Sequence, residues 1–172
     1  MDFDTQVAHK ETSEWQAPRS AVEIQYELER NKPMPSLNHA RIQSSLIRHL
    51  ANAYSEEYDI LSELTIDFPV KSAVPDVSIY PITQADWQND VIKRAEIPIL
   101  AIEILSPRQV FDDIMDKIKK IYFPAGMLSV WVVLPSAQSV MIFTPNAKPK
   151  TFNSGIMHDD ASSFEIDLDK IF

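Results

Sequence analysis

The chain is predicted to fold as a mixed β-sheet with helices packed on it, of the α/β or α+β class, on three observations. An apolar stripe at helical spacing, Ile42, Leu46, Ile47, Leu50 and Tyr54, is followed by three runs of strand character, LTIDFPV, VPDVSIYP and IPILAIEILSP. A second stripe, Phe111, Ile114, Ile118, Ile121 and Tyr122, then separates the last of those runs from SVWVVLP and SVMIFTP. Helix, strands, helix, strands is the order of a sheet with helices on it. The second helix serves as a crossover, which makes ILAIEILSP and SVWVVLP parallel neighbours.

Residues 1–20 are polar, carry Pro18 and show no period, so a flexible arm is expected there and a single domain over residues 21–172. AVEIQYELER suits a short helix or a first strand, and the prolines of NKPMPS end it. Asn38 is a suitable N-cap for the helix that runs to about Tyr54. With the KSA turn between LTIDFPV and VPDVSIYP, the three strand-like runs are expected to form one sheet. The helix after Pro107 stops near Pro124 and Gly126. SVWVVLP and SVMIFTP, joined at SAQ, read as an antiparallel hairpin, and SFEIDLDKIF as a closing strand.

Composition narrows the function classes. With 45% apolar residues over 172 positions the chain can bury a core, and with no cysteine it has neither disulfides nor thiolate chemistry. Two glycines, Gly126 and Gly155, cannot build a phosphate-cradling loop, so no nucleotide cofactor is expected. No long apolar run and no signal-like N-terminus is present, so a cytoplasmic protein without a membrane span is expected. The net charge of −9 argues against nonspecific polyanion binding while permitting a local basic face.

Two carboxylates stand out. Glu103 interrupts the apolar run ILAIEILSP, and Asp76 heads the run VSIY; unpaired, either would cost about 3 kcal/mol or more to bury. On adjacent strands they would repel unless a cation lay between them, and a hard divalent ion is the usual solution. Taken singly, each is more often an edge residue, a cap or an ion-pair partner. Lys117 sits at the margin of the second helical stripe, from which it can reach the sheet end; the plainer reading pairs it with Asp113 one turn earlier.

PDVSIYP, IEILSP, the D-x3-K of DIMDK, YFPAG and SVWVVLP, together with YELERNKPMPSLNHARIQ, resemble the Uma family of bacterial restriction-endonuclease-like proteins, within the PD-(D/E)xK nuclease superfamily. The likeness runs from about Ala21 to the end. It implies a restriction-endonuclease-like mixed β-sheet flanked by helices, with Asp76 and Glu103 as metal ligands. Leu105 occupies the place of the superfamily's usual lysine, which implies that Lys117, on the following helix, takes the role. One residue more than in the family pattern stands between Lys117 and Tyr122, which leaves Lys119 as an alternative. Glu27 matches a further acidic position, and His39 matches a histidine at the start of the long helix; packing beside Ile42 is an equal reading of His39.

The resemblance thus implies a Mg²⁺- or Mn²⁺-dependent endonuclease acting on DNA. Asp76, Glu103 and the main-chain carbonyl of Ile104 would hold the ion, Glu27 would assist, and Lys117 would stabilise developing charge. A homodimer is expected, with the hairpin, taken to be exposed, as one interface. The basic residues Lys32, Arg41, Arg48, Lys93, Arg94 and Arg108 are scattered in sequence. Two alternatives stand beside this reading: a non-catalytic homodimeric module that keeps the fold for metal or partner binding, and a hydrolase of smaller phosphate esters. Leu105 and the −9 charge favour the former.

Overall fold

A computed structural model describes residues 17–30 and 32–172; the arm expected over residues 1–20 lies outside the described residues at positions 1–16. AVEIQYELER is a helix, α1 (Ala21–Arg30). Ser20 and Glu23 cap it reciprocally, the Glu23 amide donating to Ser20 Oγ at 3.2 Å and the Ser20 amide to Glu23 Oε2 at 2.6 Å. Helix α2 (Leu37–Tyr54) starts two residues earlier than Asn38 would place it. Ser36 is its cap, in extended conformation with its hydroxyl accepting from the His39 amide.

The main sheet has six strands in the order β1 (Tyr58–Ser62), β3 (Val77–Pro81), β5 (Leu100–Ile104), β6 (Ser129–Leu134), β7 (Ser139–Phe143) and β8 (Lys150–Phe152). Within this sheet only β5 and β6 run parallel, as the crossover helix requires; its other pairs are antiparallel. That crossover begins as α3 (Phe111–Lys117) and continues as one π-helical turn over Ile118–Tyr122. Alternation along β5 sends Leu100, Ile102 and Ile104 to a core built with Ile42, Leu46 and Leu50 of α2. Ala101 faces the other core, with Ile114, Ile118 and Tyr122. Glu103, by the same alternation, points to the α3 side.

Three expectations are corrected. LTIDFPV is not a strand of the main sheet: only β2 (Thr65–Ile66) is extended, and it pairs with β4 (Lys93–Arg94) in a separate ribbon. The sheet edge is β1, whose YDILS is half-buried from Tyr58 to Leu61, exposed at Ser62, and carries no clean alternation to read. The closing strand shrinks to β10 (Glu165–Asp167), which pairs with β9 (Ile156–His158) outside the main sheet. Finally, the β6–β7 hairpin is not an exposed apolar surface. Its residues are almost all buried because both faces of β6 are covered by the two cores.

Candidate active site

Asp76 follows Pro75 and lies in a bend immediately before the first paired residue of β3. The antiparallel register matches Val77 with Ile102 and Ser78 with Ala101; carried one step further it sets Asp76 against Glu103. The side chain of Asp76 closes the junction, since its Oδ2 accepts from the Ile104 amide at 2.6 Å. The amide of Ile104, rather than its carbonyl, is thus the atom seen to meet Asp76.

Each carboxylate is buried to 1% exposure, and each has its own set of partners. Asp76 Oδ1 meets His39 Nε2 at 2.9 Å and also contacts Lys32 Nζ. With Asp76 ionised, Nε2 is the donor, and in a neutral ring Nδ1 then accepts from the Ser106 hydroxyl, 3.0 Å away. Burial is the strongest single influence on Asp76 and pushes its pKa up. The His39 hydrogen bond and the Lys32 charge together outweigh it, and the carboxyl is held below its ordinary value.

Glu103 is gripped from the other face. Its Oε1 accepts from Lys117 Nζ at 2.9 Å and from the Tyr122 hydroxyl. Burial first, then the Glu103 charge, push the Tyr122 phenol well above its usual value, so it remains a donor at any ordinary pH. Lys117 and Tyr122 are five residues apart, which in an α-helix is about 140° around the axis. The π turn removes that mismatch: the Phe123 amide bonds the Ile118 carbonyl five residues back at 3.0 Å, and the wider turn brings both side chains to one face. The extra residue between Lys117 and Tyr122 is absorbed there. Lys119 is exposed, and it is Lys117 that reaches Glu103, not Asp113 as the plainer reading had it.

Glu63, Lys32, Tyr122 and Gln43 complete the constellation, and none was singled out as a site residue from sequence. Glu63 lies in the β1–β2 turn at φ 56°, a left-handed conformation that costs a non-glycine residue on the order of 1 kcal/mol. Its Oε1 accepts from Lys32 Nζ at 2.9 Å and from Gln43 Nε2 at 3.1 Å, and Gln43 also donates to the Asp76 carbonyl at 2.8 Å. One ligand atom each from His39, Glu63 and Asp76 lies within 4.8 Å of the others; Glu103 is not in that set. An oxygen-rich group of this size suits a hard divalent cation. Glu27 is held differently, by Arg19 at 2.6 Å on the rim of the site.

A cleft of about 590 Å³ opens beside these residues, lined by Arg19, Lys32, Lys71, Arg108, Lys117 and Lys120 against only Glu27, Asp113 and Asp116 among the acids. In a chain of net charge −9 this is a local basic face. Of the six basic residues singled out in the sequence, only Lys32 and Arg108 line it. Arg94, by contrast, stacks on the Tyr80 ring at 3.9 Å.

Comparison with known proteins bears on the family and the fold. A family model described as "Uma2: Putative restriction endonuclease" matches residues 10–168. Among solved structures, "a putative nuclease belonging to DUF820 from Anabaena variabilis ATCC 29413" superposes with a TM-score of 0.70 at 23% identity, covering 81% of this chain and 83% of its own. That likeness shows the fold, a restriction-endonuclease-like mixed sheet of six strands flanked by three helices. No curated protein matches the sequence. No helix among the described residues is long and apolar enough to cross a membrane.

Proposed function

The chain belongs to the Uma2 family of restriction-endonuclease-like proteins, and from that premise we propose that it is a Mg²⁺- or Mn²⁺-dependent endonuclease hydrolysing phosphodiester bonds in DNA. One observation carries the reading. Two buried carboxylates at the ends of neighbouring strands, Asp76 and Glu103, are bonded by Lys32 and Lys117 respectively, and both of these lysines line the basic cleft.

In this reading Asp76 and Glu103, with the carbonyl of Ile104, hold the cation; His39 and Glu63 complete its surroundings. A divalent ion bound there supplies positive charge beside the scissile phosphate and makes a neighbouring water more acidic. His39 orients Asp76 through Nε2, and Tyr122 fixes Glu103, so both carboxylates are set before substrate arrives. Lys117, 15% exposed, presents its ammonium where charge accumulates on the phosphoryl oxygens. Glu27 sits on the cleft rim, where it orders Arg19 toward the phosphate path. Residues 21–172 act as a single domain, in the cytoplasm, and pair as a homodimer when both strands of a duplex are cut.

The test is incubation of the purified protein with supercoiled plasmid and with single-stranded DNA in Mg²⁺ or Mn²⁺, beside Asp76→Ala and Glu103→Ala. Nicking by the parent chain alone is expected. Equal nicking by all three would end the nuclease reading. A second reading, a non-catalytic homodimeric module that keeps the fold, is favoured by one feature: Asp76 and Glu103 are already ion-paired with the chain's own Lys32 and Lys117.

A further inference from the structure

Lys32 is an unusual cation among the described residues. Its side chain is only 9% exposed, and its ammonium stands against both Asp76 Oδ1 and Glu63 Oε1. Two of the three residues whose ligand atoms converge within 4.8 Å are therefore the two that it bonds. Burial acts to lower its pKa, and the charges of Asp76, Glu103 and Glu63 overcome that and raise it. Its ammonium thus lies in the joint field of all three acids, where a divalent ion would find its lowest energy.

We infer that Lys32 is the resident occupant of the cation position and that a divalent ion enters by exchanging with its ammonium. The inference rests on the metal reading of the same site. Asp76 cannot hold both at once: Oδ2 is committed to the Ile104 amide, and Oδ1 already carries His39 and Lys32. Of those three partners only Lys32 is free to leave cheaply. The Ile104 amide belongs to the sheet and His39 to the first turn of α2, whereas Lys32 lies on the short segment between α1 and the Ser36 cap. It also lines the basic cleft, so its displaced ammonium goes into solvent beside Arg108 and Lys117, where a substrate phosphate would meet it. Lysine and metal then occupy the carboxylates in turn, which keeps the acids from repelling one another at every stage.

The experiment compares the full chain with Lys32→Met, a neutral side chain of similar length. Titration calorimetry with MnCl₂ is expected to show roughly tenfold tighter binding by the variant, because a competing occupant no longer has to be expelled. Removing a nearby charge would also tighten binding, so a second measurement separates exchange from a field effect and does not depend on the variant folding. The unaltered chain is acetylated in brief pulses with and without Mn²⁺, and each lysine is quantified by mass spectrometry. Lys32 labelling should rise several-fold with Mn²⁺ while Lys150, already 61% exposed, stays constant as the reference. Unchanged or slower Lys32 labelling overturns the exchange, as does a failure of the parent chain to bind Mn²⁺. Neither readout uses cleavage: exchange without plasmid nicking removes the nuclease reading alone, and nicking without exchange removes this inference alone.

Discussion

Two aspartates of this molecule, Asp76 and Asp159, are equally buried at 1% exposure, and both are held below the ordinary carboxyl pKa against the opposing effect of burial. They reach that state by opposite means. Asp159 is satisfied by neutral donors: the hydroxyls of Ser129 and Ser162 at 2.5 Å each, the Trp131 indole at 2.8 Å and the Ala161 amide at 3.0 Å. Its backbone also closes the loop between β9 and β10, accepting from the Ser163 amide and donating to the Phe164 carbonyl. Asp76 is satisfied by the His39 ring, the Ile104 amide and the Lys32 ammonium, and the last of these belongs to a side chain that lines a cleft and can leave. A carboxylate fixed by neutral donors pins a loop. One balanced by cations can exchange its partner, which is what chemistry on a phosphate requires.

The sharpest way to break the comparison is to remove each carboxylate in turn. Asp76→Ala is expected to reduce plasmid nicking on the order of 10²–10³-fold, and it also costs stability, because the buried His39 ring and Ile104 amide lose their acceptor even though Lys32 can turn into the cleft and be solvated. Asp159→Ala should cost stability alone. Ser129 and Trp131 lie in a buried strand and cannot reach water, so the loss is about 3 kcal/mol, read as a melting temperature lower by roughly 6–12 °C. The nicking rate per folded molecule should be unchanged. If Asp159→Ala lost activity without losing stability, the distinction between the two sites would fail.

The pH dependence of stability gives a finer contrast. A carboxyl whose folded pKa is lowered contributes stability above its unfolded value of 3.8, lost as pH falls through the folded value; both aspartates therefore add to an acid limb below about pH 4. Lys32 has a raised folded pKa, so its contribution is complete below the unfolded value of 10.5 and is lost as pH rises through the folded one. The Asp76 site accordingly has an alkaline limb that rests on a buried ammonium, whereas at the Asp159 site the exposed Lys150 feels the carboxylate only as the last of its influences. Urea midpoints measured across pH should show that Lys32→Met flattens the alkaline limb, whereas Asp159→Asn makes only the acid limb shallower.

How far the sequence foretold these sites follows from the same physics. Asp76 and Glu103 were legible because a charge inside an apolar run contradicts its surroundings, and Lys117 because a helical stripe places it. The parallel pairing of β5 and β6 followed from the intervening helix. Glu63 left no such trace: in SEL it reads as a solvated turn residue, and only its left-handed backbone and its reach to Lys32 and Gln43 mark it out. Lys32 looked like one basic residue among six, since burial of a lysine depends on which acids the fold brings to it. Asp159 was hidden for the same reason, in a stretch, HDDASS, that looks exposed.

The smallest predicted effect concerns the spacing that the family pattern does not contain. On a regular α-helix, residues four apart share a face, and residues five apart do not. Here Lys117 and Tyr122 are five apart and both reach Glu103 Oε1, because the turn between them is π-helical. Deleting the exposed Lys119 should let that turn relax to α-helix and leave the lysine and the tyrosine four apart, on the same face as before. Stability is then expected to stay within about 1 kcal/mol of the parent, since an α turn is the more favourable one and no buried side chain is lost. Tyr122→Phe, which keeps the ring and removes the bond to Glu103, should cost about 1 kcal/mol in the same urea titration. A deletion that cost several times more than Tyr122→Phe would mean that the π turn is needed for something other than register, and the one-residue insertion would then mark a function of its own rather than an accommodated accident.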